Sequence, residues 1–230
     1  MKKRIFYTEL AYIIGICAVA LGVMLTVTAD FGVSMIVAPA YILYEWINPM
    51  WNSFTFGMAE YCFQGLLIIL TALVMRRFKL GYLFSFVTAV LYSLVLDALM
   101  SIAGILPVDF FWQRCIWFAL GLTITTAGVS LMFSTYVSPQ AYELVVKEMS
   151  AQFKIDIHKF KIGYDLSSCL LGILMSFAIF GFGNFVGVRW GTIVTALLNG
   201  YMISLFSKFF ARFFEFRDAF AFRSFFEGRK

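Results

Sequence analysis

The sequence predicts an all-α membrane protein with about six transmembrane helices, arranged as two inverted three-span repeats with two short non-spanning helices. Of its 230 residues, 62% are hydrophobic and only 13% are charged, whereas soluble proteins carry about 25% charged residues. Six apolar segments approach the length of about 20 residues that a bilayer requires. A polar break follows the first and the fourth of these segments, which is the pattern of an internal repeat of three segments.

The six apolar segments are bounded by charged, aromatic or proline-containing sequences. The first covers 10–28 and is longer than the core of about 7–15 residues typical of a signal peptide, so we expect it to be retained as a span. Tryptophans near the segment ends occupy positions that interfacial aromatic residues favour. The predicted spans are 10–28, 56–75, 80–106, 111–133, 162–182 and 190–210.

The two polar breaks carry residues that favour the start of a helix. The first break is TADFGVSMIVAPAY, 28–41, and the second is STYVSPQAYELVVK, 134–147. In the second, Ser138 precedes Pro139, a pair typical of a helix N-terminus because Ser accepts a hydrogen bond from a free backbone N–H and Pro has none to leave unpaired. Ser34 follows a valine, as Ser138 does, and we align these two serines.

Each break predicts a short helix, over 31–48 and 139–153. Both segments are too short to span a bilayer. The second carries Glu143, Lys147 and Glu148, which favours a position at a surface. We expect the two short helices to enter a central site from opposite sides.

Residue matches at a constant spacing support an internal repeat. Gly81 and Gly191 match at 110 residues, which implies a four-residue insertion near 181–184. We place the first repeat at 9–106 and the second at 111–210, within a single membrane domain of 1–230. The pairs 106 residues apart are Gly15 with Gly121, Gly22 with Gly128, Phe54 with Phe160, and Gly57 with Gly163.

The distribution of positive charge predicts the orientation. With six spans and a cytoplasmic N-terminus, 16 of the 18 Lys and Arg residues fall on the cytoplasmic side, and only Arg114 and Arg189 fall outside. Cytoplasmic loops of membrane proteins are enriched in these residues. Three spans per repeat is an odd number, so the two repeats must cross the membrane in opposite senses. We expect a multi-pass protein of the bacterial inner membrane with both termini in the cytoplasm.

The C-terminal tail, 211–230, alternates phenylalanine with charged residues. One apolar face with snorkelling basic side chains is typical of an interfacial helix, so we predict a cytoplasmic tail helix lying on the membrane. A helix that docks a protein partner is the alternative.

Polar side chains inside the spans are the candidate substrate-binding residues, because an ionisable group in lipid is costly unless it faces protein or water. Several have a structural alternative: the serines can satisfy helix ends, and carboxylates near an interface are readily solvated. The candidates are Asp97, Asn199, Ser34, Ser138, Glu60 and Asp165.

Several function classes find no support in the sequence. There is no GxSxG, no HExxH and no glycine-rich phosphate loop, so we expect no enzyme, no catalytic residue and no cofactor. The four cysteines are far apart and form no CxxC pair, which argues against a metal site or a disulfide framework. The net charge of +5 reflects membrane topology and comes with no nucleic-acid-reading motif, so no nucleic-acid partner is expected.

The two breaks and the last span carry a family resemblance. The sequences TADFGVS, TYVSPQAYE and the late GVRWGT resemble those of the YczE/YyaS/YitT-type bacterial integral membrane proteins. The resemblance covers most of the chain and implies a bacterial inner-membrane protein without naming a substrate.

These observations favour a small-molecule transporter or permease of unspecified substrate, embedded in the lipid bilayer. Inverted repeats with interrupted helices are typical of transporters that work by alternating access. One alternative is the substrate-binding subunit of a multi-component vitamin transporter. The other is a membrane partner protein that transports nothing. Coupling ion, homo-oligomerisation and protein partners stay open at the level of sequence.

Overall fold

The computed structural model describes residues 4–76, 78–137 and 139–218, which form eight α-helices and two short strands. Six of the helices, all except α2 and α6, are long and apolar enough to cross a membrane, as predicted. The elements in chain order are β1 Arg4–Tyr7, α1 Thr8–Ala29, α2 Ala38–Ile47, α3 Phe56–Met75, α4 Leu80–Met100, α5 Phe111–Phe133, α6 Ala141–Phe153, α7 Ile157–Phe180, α8 Trp190–Phe213 and β2 Phe214–Arg217.

Helices α1 and α5 cross at the centre of the fold through facing glycines. A Cβ atom at Gly15 would lie 3.1 Å from the carbonyl oxygen of Gly128, and one at Gly121 would lie 2.7 Å from that of Gly22. Along this contact the residue number increases in α1 and decreases in α5, so the two helices are antiparallel. Small residues are what permit helices in a membrane to approach this closely.

The facing glycines are related to one another by the internal repeat. At the offset of 106 residues, Gly15 corresponds to Gly121 and Gly22 to Gly128, so the contact of Gly15 with Gly128 becomes that of Gly121 with Gly22 when the repeats are exchanged. The helix contacts follow the same exchange: α2 packs on α3 and α7, and α6 on α7 and α3, while α4 packs on α1 and α8 on α5. The prediction of two inverted repeats is confirmed.

Helix α2 is shorter than predicted because the chain before it is held in an extended path. The segment 31–34 lies along the start of α8, where Gly191 N–H donates to the carbonyl of Phe31 at 2.8 Å and Val33 N–H donates to that of Gly187 at 2.9 Å. Gly32 has φ of +101°, and a Cβ there would lie 2.8 Å from the backbone nitrogen of Arg189. A glycine suits both the backbone conformation and the close approach.

The predicted surface position of the second short helix is wrong for its first half, 141–146, and right for its last residues, 151–153. Five of the first six residues of α6 are buried, whereas its last three residues, 151–153, are exposed, and the helix packs against α3 and α7. Of its charged residues, Glu148 accepts a hydrogen bond from Lys79 at 2.6 Å, Glu143 lines a cleft, and Lys147 is exposed. The buried residues are Ala141, Tyr142, Leu144, Val145, Val146 and Ser150.

The start of the tail also differs from the prediction. Helix α8 continues to Phe213, and Phe214–Arg217 then forms a strand that pairs in parallel with Arg4–Tyr7. The sequence FEFR alternates with a period of two, which fits a strand better than a helical face. The expectation of a helix is wrong for these residues, and the rest of the predicted tail, 219–230, lies outside the described residues.

The inverted repeat predicts opposite labelling of two exposed positions, one in the loop before α3 and one at the end of α6. In a variant with all four native cysteines replaced, we expect Asn52→Cys to react with an impermeant thiol reagent only from the periplasmic side. Gln152→Cys should react only from the cytoplasmic side, since both residues are exposed on segments predicted to lie on opposite faces. Labelling in intact and in lysed cells measures this, and reaction of both residues from one side contradicts the topology.

Candidate functional site

A first cleft lies between α1, α5, α8 and the start of α2. It brings together two predicted site residues, Ser34 and Asn199, with three threonine hydroxyls from the surrounding helices. Among the described residues, its lining contains no ionisable side chain. Its polar groups are hydroxyls and one amide, and the other lining side chains are apolar. The lining residues are Val23, Thr26, Ser34, Leu122, Thr125, Thr195 and Asn199.

The start of α2 places Ser34 in this cleft. The carbonyl of Ser34 accepts hydrogen bonds from Val37 N–H and Ala38 N–H, both at 2.9 Å, and these bonds form the turn that leads into α2. The side chain of Asn199 is 6% exposed, and its Oδ1 has no hydrogen-bond partner among the described residues. A buried amide oxygen without a partner is costly, and a ligand donor could satisfy it.

A second cleft lies further along the α1–α5 crossing, at the start of α6. The carbonyl of Gln140 accepts the N–H of Leu144 at 3.0 Å, which begins α6 here. The Nε2 of Gln140 is buried and has no partner in the described part of the chain. The lining residues are Val19, Val129, Met132, Phe133, Pro139, Gln140 and Glu143.

The two clefts are related by the internal repeat. Residues 23, 26 and 34 of the first cleft correspond to 129, 132 and 140 of the second, and residue 19 of the second corresponds to 125 of the first, all 106 residues apart. The counterpart of Ser34 is therefore Gln140, and our alignment of Ser34 with Ser138 is wrong. Ser138 itself lies outside the described residues.

A buried hydrogen-bonded cluster joins α3 to the start of α6, where its residues Ala141 and Tyr142 lie between Gln140 and Glu143 in the chain. The predicted site residue Glu60 is fully buried, and its Oε2 accepts hydrogen bonds from Tyr142 at 3.0 Å and from Gln64 at 3.2 Å. The Oε1 of Gln64 accepts the N–H of Ala141 at 3.2 Å. Burial raises the pKa of Tyr142, so this side chain is a neutral donor. We call these four residues the Glu60 cluster.

The predicted site residue Asp165 lies on α7, on another side of α6. It is 6% exposed and pairs with Lys161 one turn earlier at 3.5 Å. Burial raises the pKa of the nearby Glu143 carboxyl, and the charge of Lys161 opposes this. Asp165 is thus an ion-pair partner near the second cleft and does not line it.

Asp97 is separate from both clefts. Its Oδ1 accepts the N–H of Gly57 at 2.7 Å and its Oδ2 accepts the hydroxyl of Thr55 at 2.6 Å. Thr55 in turn caps α3 by accepting the N–H of Met58 at 3.1 Å. Asp97 therefore completes the hydrogen bonding of a helix N-terminus, which is a structural role.

Sequence reasoning missed Gln140 and Tyr142 as site residues. The offset of 106 residues seen in the glycines, if applied to Ser34, gives Gln140 directly. No comparable signal marks Tyr142, because its role depends on how α6 packs against Glu60.

Ion pairs lie near the helix ends on each side of the fold. At the end of α1, Asp30 pairs with Arg189 at 2.6 Å and with Arg114 at 3.4 Å. Beneath them, the ring of Phe31 packs against that of Trp190 with centroids 4.5 Å apart. At the other end, Lys79 pairs with Glu148. The linker before α2 is thus fixed to the start of α8, and α6 is fixed to the start of α4.

The fold and the clefts define a class of protein: a multi-pass helical membrane protein built from two inverted repeats, each with one interrupted, non-spanning helix. The sequence matches a family of unknown function (DUF6198) over residues 6–208, and the chain belongs to this family. No curated protein and no solved structure matches the chain.

Proposed function

We propose that the protein is a small-molecule transporter of the bacterial inner membrane that works by alternating access. The observation that carries this proposal is the pair of repeat-related clefts, each at the start of a non-spanning helix and each with a buried polar atom lacking a partner. In transporters with inverted repeats, the substrate site lies at such interrupted helices near the interface of the repeats.

The packing supports a rocking motion of one repeat against the other. Each short helix contacts α3 of the first repeat and α7 of the second, so a shift between repeats moves both short helices. The glycine crossing of α1 and α5 lies between the clefts and can serve as the pivot. The ion pairs of Asp30 with Arg189 and of Lys79 with Glu148 would then open in turn.

The lining of the first cleft indicates the chemistry of the substrate. Hydroxyl groups of Thr26 and Thr195 already donate to backbone carbonyls at 2.9 Å and 2.8 Å, so their remaining capacity is as acceptors. Asn199 adds its unpartnered Oδ1. We therefore infer a small, uncharged polar substrate with hydrogen-bond donors, because no charged side chain in this lining would balance a ligand charge.

The orientation and the finer family relationship belong to the same proposal. The excess of Lys and Arg in alternate loops supports cytoplasmic termini. The similarity of the two breaks to those of YczE/YyaS/YitT-type proteins supports a relationship to these bacterial membrane proteins.

Ligand-induced stabilisation of the purified protein tests the transporter proposal. We expect an uncharged polar compound from a metabolite panel to raise the free energy of unfolding by about 2.7 kcal/mol at 100 times its dissociation constant. Asn199→Leu should abolish this effect while leaving the unliganded protein about as stable as wild type, because it removes a buried polar atom that has no partner. Thermal unfolding in detergent provides the measurement.

A matched substitution controls for non-specific effects on the ligand response. Asn52→Leu makes the same change in an exposed loop and should leave the ligand response unchanged. A response that survives in Asn199→Leu would contradict the first cleft as the site. A panel of uncharged polar metabolites without any stabilising member would count against a transporter of this substrate class.

A further inference from the structure

The Glu60 cluster contains a buried carboxyl group with an incomplete set of hydrogen bonds. Glu60 is 0% exposed, and both of its donors, from Tyr142 and Gln64, act on Oε2. Its Oε1 is buried and has no partner among the described residues. An ionised carboxylate in such a place has one oxygen without hydrogen bonds, which is strongly unfavourable in an apolar interior.

The charges around Glu60 give it no compensating cation. On α6 it faces Tyr142 and, at longer range, the acidic Glu143, and on α4 it faces Tyr92. On α7 the groups near this region are Tyr164, Asp165 and Lys161, and Lys161 is paired with Asp165 at 3.5 Å. No ion pair of Glu60 is present within the described ranges.

We propose that Glu60 is a proton-binding site that couples proton movement to transport, an inference that rests on the proposed transport function. In this structure the carboxyl group is neutral, with the proton on Oε1 and the carbonyl oxygen Oε2 accepting from Tyr142 and Gln64. The step is a simple proton transfer. The O–H bond of Glu60 breaks, the proton passes to a water molecule, and the carboxylate that is left keeps the electron pair.

The geometry explains why loss of the proton would move α6. The start of this helix is held to α3 by two hydrogen bonds, from Tyr142 to Glu60 and from Ala141 to Gln64. A charged Glu60 needs additional donors or water, since its Oε1 has no hydrogen-bond partner among the described residues. Hydrating the carboxylate therefore requires the start of α6 to separate from α3.

Infrared difference spectroscopy of the bilayer-reconstituted protein tests the protonation. Between roughly pH 5 and pH 9, which brackets the range where a buried carboxyl group can titrate, we expect one protonated-carboxyl carbonyl band in wild type that Glu60→Gln lacks. Glu143→Gln, on the same face of the region, should retain the band. Carbon-13 labelling of glutamate in wild type assigns the band to glutamate even if the variant does not fold. Absence of a glutamate band at every pH overturns the proposal.

Distance measurements between spin labels test whether protonation of Glu60 is coupled to movement of α6. Only the pH is varied, and no transported compound is added. Labels at Lys147 and Arg76, both exposed, report on α6 and on the end of α3. We expect a second, longer distance to gain population as the pH rises in wild type and to be lost in Glu60→Gln, whose side chain is always neutral. The coupling is overturned if the distances do not change with pH, or if they change with pH equally in wild type and in Glu60→Gln.

Both readouts are independent of any transported compound. A negative metabolite panel together with a Glu60 band would refute the proposed substrate class and leave the proton site standing. A ligand response abolished by Asn199→Leu, together with no glutamate band, would refute the proton site and leave the transporter proposal standing.

Discussion

Gly22→Ala is expected to lower the free energy of unfolding by about 1–3 kcal/mol or more, because the new methyl group has no space. Its Cβ would lie 2.6 Å from the carbonyl oxygen of Gly121 and 2.6 Å from the backbone nitrogen of Thr125. Both are backbone atoms, so relief requires α1 and α5 to move apart. Since this crossing joins the two repeats, the loss affects the whole fold. Equilibrium unfolding in mixed micelles measures the effect.

A glycine in open surroundings provides the matched control for this substitution. Gly200 lies inside α8, and no atom of the described residues lies within 4 Å of the position a Cβ would take. Gly200→Ala should therefore stabilise the protein by about 0.5–1 kcal/mol through helix propensity alone. If Gly22→Ala is as stable as Gly200→Ala, the close crossing of α1 and α5 is wrong.

The internal repeat extends the same prediction to Gly121. Its Cβ would lie 2.7 Å from the carbonyl oxygen of Gly22, so Gly121→Ala should cost about as much as Gly22→Ala. The double variant should cost less than the sum, because one separation of the two helices relieves both overlaps. If the two losses of unfolding free energy add in the double variant, the two glycines do not share one contact.

The spans were predictable from the sequence because lipid imposes a simple requirement on length and polarity. The predicted second and fourth spans, 56–75 and 111–133, coincide with α3 and α5. The repeat was visible in Gly15, Gly22 and their partners because close helix packing depends on a residue type that stands out. These features depend on local composition or on spacing along the chain.

The position of α6 and the identity of the cleft residues depend on contacts between distant segments. Glu148 suggested a surface helix, but Lys79 from another element satisfies it. Glu60 looked like a carboxylate near an interface, and only its packing against Tyr142 shows that it is fully enclosed. Charge along a helix does not reveal which charges find a partner inside the protein.

Asp97 shows the same limit most clearly, because its depth in a span marked it as a substrate residue. The sequence does not show that the start of α3 lies against the end of α4. In the structure the carboxylate holds this helix start through Gly57 and Thr55, at 2.7 Å and 2.6 Å. A residue already satisfied in this way has little capacity left for a ligand.

Asp97→Ala is accordingly expected to lower the free energy of unfolding by about 3 kcal/mol, since hydrogen bonds to a charged group contribute about 1.5–3 kcal/mol each and are not fully additive. Asp97→Asn keeps the acceptor for Gly57 and should lose about half of this amount. Asp109→Ala, an exposed aspartate beyond the end of α4, should change stability by less than about 0.5 kcal/mol. Equilibrium unfolding of the three variants gives the comparison.

The response to ligand separates the two roles considered for Asp97. If its role is to hold the start of α3, the compound that stabilises wild type should stabilise Asp97→Asn by the same increment, because the first cleft does not include this residue. If Asp97 binds substrate, Asp97→Asn should remain about as stable as wild type and lose the increment. The structure predicts the first result, since the α3 N–H of Gly57 and the hydroxyl of Thr55 occupy one carboxylate oxygen each.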